Sequence, residues 1–460
     1  MVAIKPFRCH SPPVLSYLCP IRLTLRKNES SRLSVTTATG GKMAPQGTHN
    51  RTVGKLWFVV IQAFVLCLGG LLGQQKEAQF PDIPLYSEYS LKLMQGLIPY
   101  RDFPVEYPPF SLVYFVLPRL LGLGQNSDVH LYSVAFLIQN LVVSVVLAFV
   151  LLRTIAQLDM NPRSRQITCF YTVLLAITAP FAAWRYDLLP ALLTLLSVLF
   201  LVTSRSAIAG ICLGLGIAAK LYPIIFIPIF CFYYLVSRQW RSLGKFLLFT
   251  ISSIVIIFLP FWFAGGQILS FLNYHQSRGV HIESSFGGLL LLLDMLGLTQ
   301  IEVVVNFGAF HLKSPLADVT LQLQSLLLVL GSILITIRCY LSFREEYTST
   351  GVIQSATPVF YCVLMLLTFI ALSKVFSAQY MVWLLPFIGF VQPQMYGLIL
   401  AIYVLTTIIY PFYYWLLLAI SPIGVLVLNL RNVLVFVLLI WLLLGQFFQP
   451  INRLNFNPES

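Results

Sequence analysis

The 460-residue chain is predicted to be an all-α polytopic membrane protein, on three observations. Hydrophobic residues make up 58% of it and charged residues only 10%. Apolar runs recur at lengths close to the ~20 residues a helix needs to cross a bilayer. These runs, rich in Leu, Ile and Phe, lack the period-two alternation of a membrane β-barrel strand. Counted along the chain, they predict about 12 transmembrane helices.

Residues 1–55 differ in kind, being polar and basic with no spanning stretch. They read either as a targeting-like leader or as an extended start ahead of Met43, and in both cases lie outside the working part of the protein. The first span is placed at 56–73. Arg51 and Lys55 before it hold that end in the cytoplasm, so the next loop emerges on the opposite side.

That loop, within residues 75–130, carries a charged, proline-punctuated island from Phe80 to Pro109. Asp82 can cap a short helix, Pro84 suits its first turn and Gly96 can end it. Leu85, Tyr89, Leu93, Met94 and Leu97 give that helix one apolar face, which predicts an amphipathic helix lying on the membrane. Tyr100 and Tyr107 read as interfacial anchors.

Beyond the island, 110–124 is short and interrupted by Pro118 and Arg119, so it reads as re-entrant or shallow. The next full span is 131–152. Spans follow near 168–184, 188–203, 206–219, 222–236, 246–264, 317–341, 353–373, 380–391, 395–411 and 427–447, with 286–316 ambiguous. The core is expected over 56–390, with C-terminal helices and a short tail over 391–460. On this topology 19 of the 29 Lys and Arg, but only five of the 16 acids, lie on the inner side. The charge of +13 therefore marks orientation rather than nucleic-acid binding. Both termini are expected in the cytoplasm, with the protein in the plasma (inner) membrane.

Charges near the ends of spans are costly, about 2.5–3.5 kcal/mol at a helix centre on insertion scales, and usually face a cavity or a partner. On the predicted outer side these are Asp82, Asp102, Glu106, Arg185, Asp187, Lys220, His275, Arg278 and Glu283. Cations and carboxylates together suit an anionic, polar-headed substrate. Arg185 and Asp187, two residues apart, are expected to pair with each other. None of the cysteines falls in a predicted outer loop, so no disulfide framework is expected there. No zinc spacing or Gly-rich phosphate loop appears, and the first outer loop has no Asp-x-Asp or adjacent acidic pair, so neither a metal nor another cofactor is expected.

Several stretches taken together resemble glycosyltransferase family 87. They are Asp82 with Tyr86, Gly96, Pro99-Tyr100-Arg101-Asp102-Phe103 and Glu106-Tyr107-Pro108-Pro109. Further along come Arg185-Tyr186-Asp187 with Pro190, Lys220-Leu221-Tyr222-Pro223, Arg278-Gly279-Val280 with Glu283-Ser284, and Phe376-Ser377 with Gln379-Tyr380 and Trp383. Ala378 departs from the pattern, which would have proline there. The resemblance implies the C-type glycosyltransferase fold and an inverting transfer of a sugar, mannose by default, from a polyprenyl-phosphate donor to a glycan or glycolipid acceptor. It implies Asp82 as general base, and Lys220, Arg278, Arg185 and His275 at the donor phosphate. Asp102, Glu106, Asp187, Glu283, Gln379 and Tyr380 would meet sugar or acceptor. A polytopic transporter or lipid flippase is the alternative, though the charges gather at one face and no internal repeat is seen.

Overall fold

The computed structural model describes residues 46–77, 82–120 and 128–448. Residues 1–45, and the predicted leader with them, lie outside the described residues. Contacts divide the chain into Met1–His49 and Asn50–Ser460, and the second unit holds the fold discussed below.

The helices follow the hydropathic runs. In chain order they are α1 (Gln46–Glu77), α2 (Ile83–Met94), α3 (Phe110–Leu120), α4 (Val129–Gln157), α5 (Ser164–Ala182) and α6 (Leu188–Val202). Next come α7 (Ser206–Ala219), α8 (Ile227–Val236), α9 (Trp240–Phe263), α10 (Ser270–Gln276), α11 (Ser285–Met295) and α12 (Ala317–Thr350). The chain then forms α13 (Ala356–Leu372), α14 (Tyr380–Ile388), α15 (Tyr396–Thr407), α16 (Tyr414–Leu418) and α17 (Pro422–Phe448). Among the described residues six helical segments are long and apolar enough to cross a membrane, and six shorter apolar ones accompany them. The chain is a multi-pass membrane protein.

Burial sorts these helices by role. α9 and α12 bury only 17% of their most apolar window and form the periphery. α6, α13 and α14 are almost wholly buried and form the centre. α7 reaches α9 through Gly210 and Gly214, the small-residue spacing that lets two backbones approach closely. A Cβ on Gly214 would lie 2.5 Å from the Thr250 carbonyl oxygen and 2.9 Å from the Ser253 side chain. Gly214→Ala, which in an open helix would gain up to ~1 kcal/mol of propensity, is therefore expected to destabilise by about 1–3 kcal/mol. A lower melting temperature in detergent checks this, and an unchanged or raised one refutes it.

Two features depart from what the sequence predicts. Val280–His281 (β1), Glu302–Asn306 (β2) and Ala309–Lys313 (β3) form a small antiparallel sheet in the order β1-β3-β2. Its hairpin turns at Phe307 and Gly308, with φ of 49° and 64°, the left-handed pair favoured in two-residue hairpins. The other departure is in α2. Pro84 sits in its first turn and Gly96 follows it with φ of 81°, as the sequence predicts. The buried face, however, is Ile83, Tyr86, Ser87, Tyr89 and Ser90 rather than the predicted Leu85, Leu93, Met94 and Leu97.

The reason is Arg119. This residue, in the short helix α3, is fully buried and donates from Nε to Ser90 Oγ (2.6 Å) and from Nη2 to Ser87 Oγ (2.7 Å). Its guanidinium also lies 5.1 Å from the Tyr132 ring centre of α4. A buried guanidinium needs such partners, and it binds α2 to α3 and α4 through the helix's small polar face.

Candidate active site

Asp82 stands at the head of α2 but does not cap it: its side chain makes no capping hydrogen bond. Oδ2 instead accepts from the Tyr86 hydroxyl one turn on (3.0 Å) and pairs with the Arg185 guanidinium. Both contacts fall on one oxygen, and among the described residues Oδ1 takes no hydrogen bond. With its side chain 24% exposed, Asp82 is held but reachable.

Arg185 and Asp187 sit in the turn between α5 and α6. They point to different partners, because two residues along a tight turn do not share a face. Arg185 takes Asp82, while the fully buried Asp187 takes Lys220 Nζ (2.6 Å) and the Trp383 indole N–H (2.5 Å) on Oδ1. The predicted Arg185–Asp187 pair is thus replaced by two longer-range pairs. The turn is fixed from below by Asn140 of α4, which donates to the Ala183 and Arg185 carbonyls at 2.9 and 3.0 Å.

Lys220 follows α7 in extended conformation and lies between two rings, 4.6 Å from the Tyr186 centre and 5.2 Å from that of Trp383. Trp383 is itself stacked between Tyr222 (4.1 Å) and Tyr380 (3.9 Å). The ammonium is thereby held inward, not extended to lipid headgroups. Tyr380 belongs to this aromatic wall. Gln379, beside it at the head of α14, is half-buried.

A second group of charges comes from the loop after α10. Arg278 donates to the Phe307 carbonyl in the hairpin turn (3.0 Å) and lies over the Tyr274 ring. Lys374 donates to the Gln276 and Arg278 carbonyls at 2.7 and 2.9 Å and fixes this loop. Glu106 lies under the hairpin: a Cβ on Gly308 would stand 3.4 Å from Glu106 Oε2 and 3.1 Å from the Tyr274 hydroxyl. Arg278 and Arg185 both lie close enough to Lys220 to act on it electrostatically. His275 is among them, but burial, with Arg278 and Lys220 nearby, pushes it down to about 4. Its imidazole is neutral at physiological pH and can offer a hydrogen bond but no charge.

Two candidates lie apart from this cluster. Asp102 is tied to Arg101 (2.8 Å) and to the Ile98 amide (2.7 Å) in a turn whose Tyr100 has φ of 64°. The Arg101 guanidinium and the Ile98 N–H hold its carboxyl below the ordinary range. Asp102 braces the loop. Tyr100 is buried and donates to the Tyr107 carbonyl (2.7 Å), and Tyr107 packs against Tyr86 and Tyr186, so neither is an interfacial anchor.

Glu283 is buried beneath the cations, at 3% exposure. Burial pushes its carboxyl up to about 7, against the pull of Arg431 and Arg185. A carboxyl that binds its proton more tightly when folded contributes most at low pH, and that contribution is lost as pH rises from about 4.5 toward 7. Glu283→Gln is expected to raise the melting temperature at pH 8 relative to pH 5, compared with the unaltered protein. Equal pH dependence in both would refute it.

Arg431 of α17 is fully buried, donates to the Glu283 carbonyl (2.7 Å) and lies 3.7 Å from the Phe376 ring centre. Sequence reasoning passed over it, and read Arg119 only as an interruption of a short apolar run. A cation inside an apolar run that has no acid within a helical turn was the available signal for both.

Residues 105–367 match the model of glycosyltransferase family 87. The chain belongs to glycosyltransferase family 87. The matched stretch of this family 87 protein contains Arg185, Asp187, Lys220, Arg278 and Glu283, while Asp82 precedes it and Trp383 follows it. The structure of ArnT from Cupriavidus metallidurans bound to undecaprenyl phosphate is similar at a TM-score of 0.42 and 15% identity, covering 85% of this chain and 76% of that one. No curated protein matches the chain in sequence.

Proposed function

We propose that this family 87 glycosyltransferase moves a sugar, mannose by default, from a polyprenyl-phosphate donor to a hydroxyl of a glycan or glycolipid on the outer or luminal face of the membrane. The observation that carries the reading is the reachable carboxylate of Asp82, paired with Arg185, a cation that itself lies within electrostatic range of Lys220. In this reading Asp82 Oδ1 takes the proton of the acceptor hydroxyl as that oxygen attacks the anomeric carbon. The bond from that carbon to the phosphate oxygen breaks in the same displacement, which inverts the centre. The electron pair leaves on the lipid phosphate, where Arg278 and Lys220 offset the growing charge and His275 adds a hydrogen bond, while Arg185 stays paired with Asp82. Glu106, Tyr380 and Gln379 flank the cluster as candidates for sugar and acceptor contact. Asp187, Glu283 and Asp102 serve as supports, since the carboxyl of each is engaged by the protein itself, by Lys220, Tyr414 and Arg101 respectively.

Protein in lipid, supplied with radiolabelled polyprenyl-phosphate sugars and extracted membrane glycans, is expected to consume one donor and release polyprenyl phosphate. Consumption of nucleotide-linked sugar alone would overturn the donor class. Orientation is tested separately in a cysteine-depleted background. A cysteine at Leu97 is expected to react with an impermeant maleimide from outside, and one at Gly244 only after permeabilisation. The reverse pattern would invert the topology.

A further inference from the structure

The C-terminal part of the chain reaches the Asp82–Arg185 pair through Tyr410. Tyr410 follows α15, beyond the stretch matched to the family and beyond the core predicted from sequence. Its hydroxyl accepts from Arg185 Nη2 at 2.6 Å, while Nη1 of the same guanidinium engages Asp82. The guanidinium carbon also lies 5.7 Å from the Tyr410 ring centre. The ring is 7% exposed and packs edge-on against Phe181 (6.3 Å) and Tyr414 (5.3 Å), so the hydroxyl is presented from a fixed platform. Tyr414 in turn hydrogen-bonds Glu283, whose backbone oxygen is held by Arg431 of α17.

A planar guanidinium held at two nitrogens by two different elements has little freedom to swing. Asp82 is held by that guanidinium and by Tyr86 alone among the described residues. We infer that Tyr410 is a positioning residue for sugar transfer: it fixes Arg185, and through Arg185 the angle at which Asp82 meets the acceptor hydroxyl. The inference rests on Asp82 being the base. Tyr410 touches neither substrate nor reacting atoms in this role. Its removal should therefore cost turnover while leaving donor recognition at Lys220 and Arg278 intact.

The test is Tyr410→Phe, which keeps the ring and its packing and removes only the hydroxyl. The variant is made alone and on an Asp82→Asn background. Expected for the single variant are a kcat lowered about 10-fold, the loss of one hydrogen bond to a charged group, and a donor KM within about twofold of the parent. On the Asp82→Asn background the same change is expected to add nothing, because the group it positions has lost its function. Rates are normalised to the folded fraction, so a variant that melts early still reports. An unchanged kcat, a loss confined to donor KM, or a full 10-fold loss repeated in the Asp82→Asn background would each overturn the inference. Normal turnover by Asp82→Asn alone would instead overturn the base assignment, a result the single Tyr410→Phe variant cannot imitate.

Discussion

Asp82→Asn is expected to lower turnover by at least ~100-fold while donor binding is retained, the magnitude typical of losing a positioned general base. Asparagine keeps the size of the side chain and an oxygen that can accept from Tyr86, but it cannot take up the acceptor's proton. Asparagine also removes the charge paired with Arg185, so melting temperature must be read beside turnover to separate a structural loss from a catalytic one. Asp82 makes no capping bond that asparagine could fail to reproduce, and asparagine caps helices about as well as aspartate. The measurement is single-turnover transfer with saturating labelled donor, together with donor affinity and melting temperature on the same preparation. A fall in rate with binding unchanged identifies an interaction made in the transition state. Normal turnover in well-folded protein would dismiss Asp82. The next carboxylate to test would be Glu106, beside Tyr274 and the hairpin turn, and not Asp187, whose Oδ1 is already held by Lys220 and Trp383.

What the sequence made legible and what it hid divide along physical lines. Helices were legible because hydrophobic length is a local property, and α2 was bounded within the island because proline and glycine act on their own backbone. Pairing was not legible. Arg185 and Asp187 are near in sequence, yet the turn between α5 and α6 sends one to the head of α2 and the other to the end of α7. The apolar face of α2 was misread for a similar reason. Periodicity marks which residues share a face but not which face a buried cation elsewhere will claim, and Arg119 claims the one with Ser87 and Ser90. The β2–β3 hairpin was hidden by its brevity, five residues a strand, inside a stretch that reads as ambiguous by periodicity alone. The candidate site's charged members were nearly all named from sequence. Their division into a reachable pair at Asp82 and a sealed pair at Asp187 belongs to the fold.

That division carries the second large prediction. Lys220 has two roles that a single substitution confuses, since it neutralises buried Asp187 and stands among the cations offered to the donor phosphate. Lys220→Met leaves the Asp187 carboxylate buried without its counter-cation, and breaking a buried pair in this way typically costs about 3–5 kcal/mol. The single variant is therefore expected to melt well below the parent and to lose activity for that reason alone. Adding Asp187→Asn removes the stranded charge and keeps an oxygen for the Trp383 indole N–H. The double variant is expected to recover most of the lost melting temperature, because replacing both members of a buried pair is far less costly than removing one. If Lys220 acts only through Asp187, activity should recover together with stability. If its ammonium also meets the donor phosphate, the double variant should fold well and still use donor poorly. The expected deficit, the worth of one charge-assisted hydrogen bond, is roughly 10-fold or more in kcat/KM. Donor kinetics of the parent type in a stable double variant would assign Lys220 to the fold and leave the phosphate to Arg278.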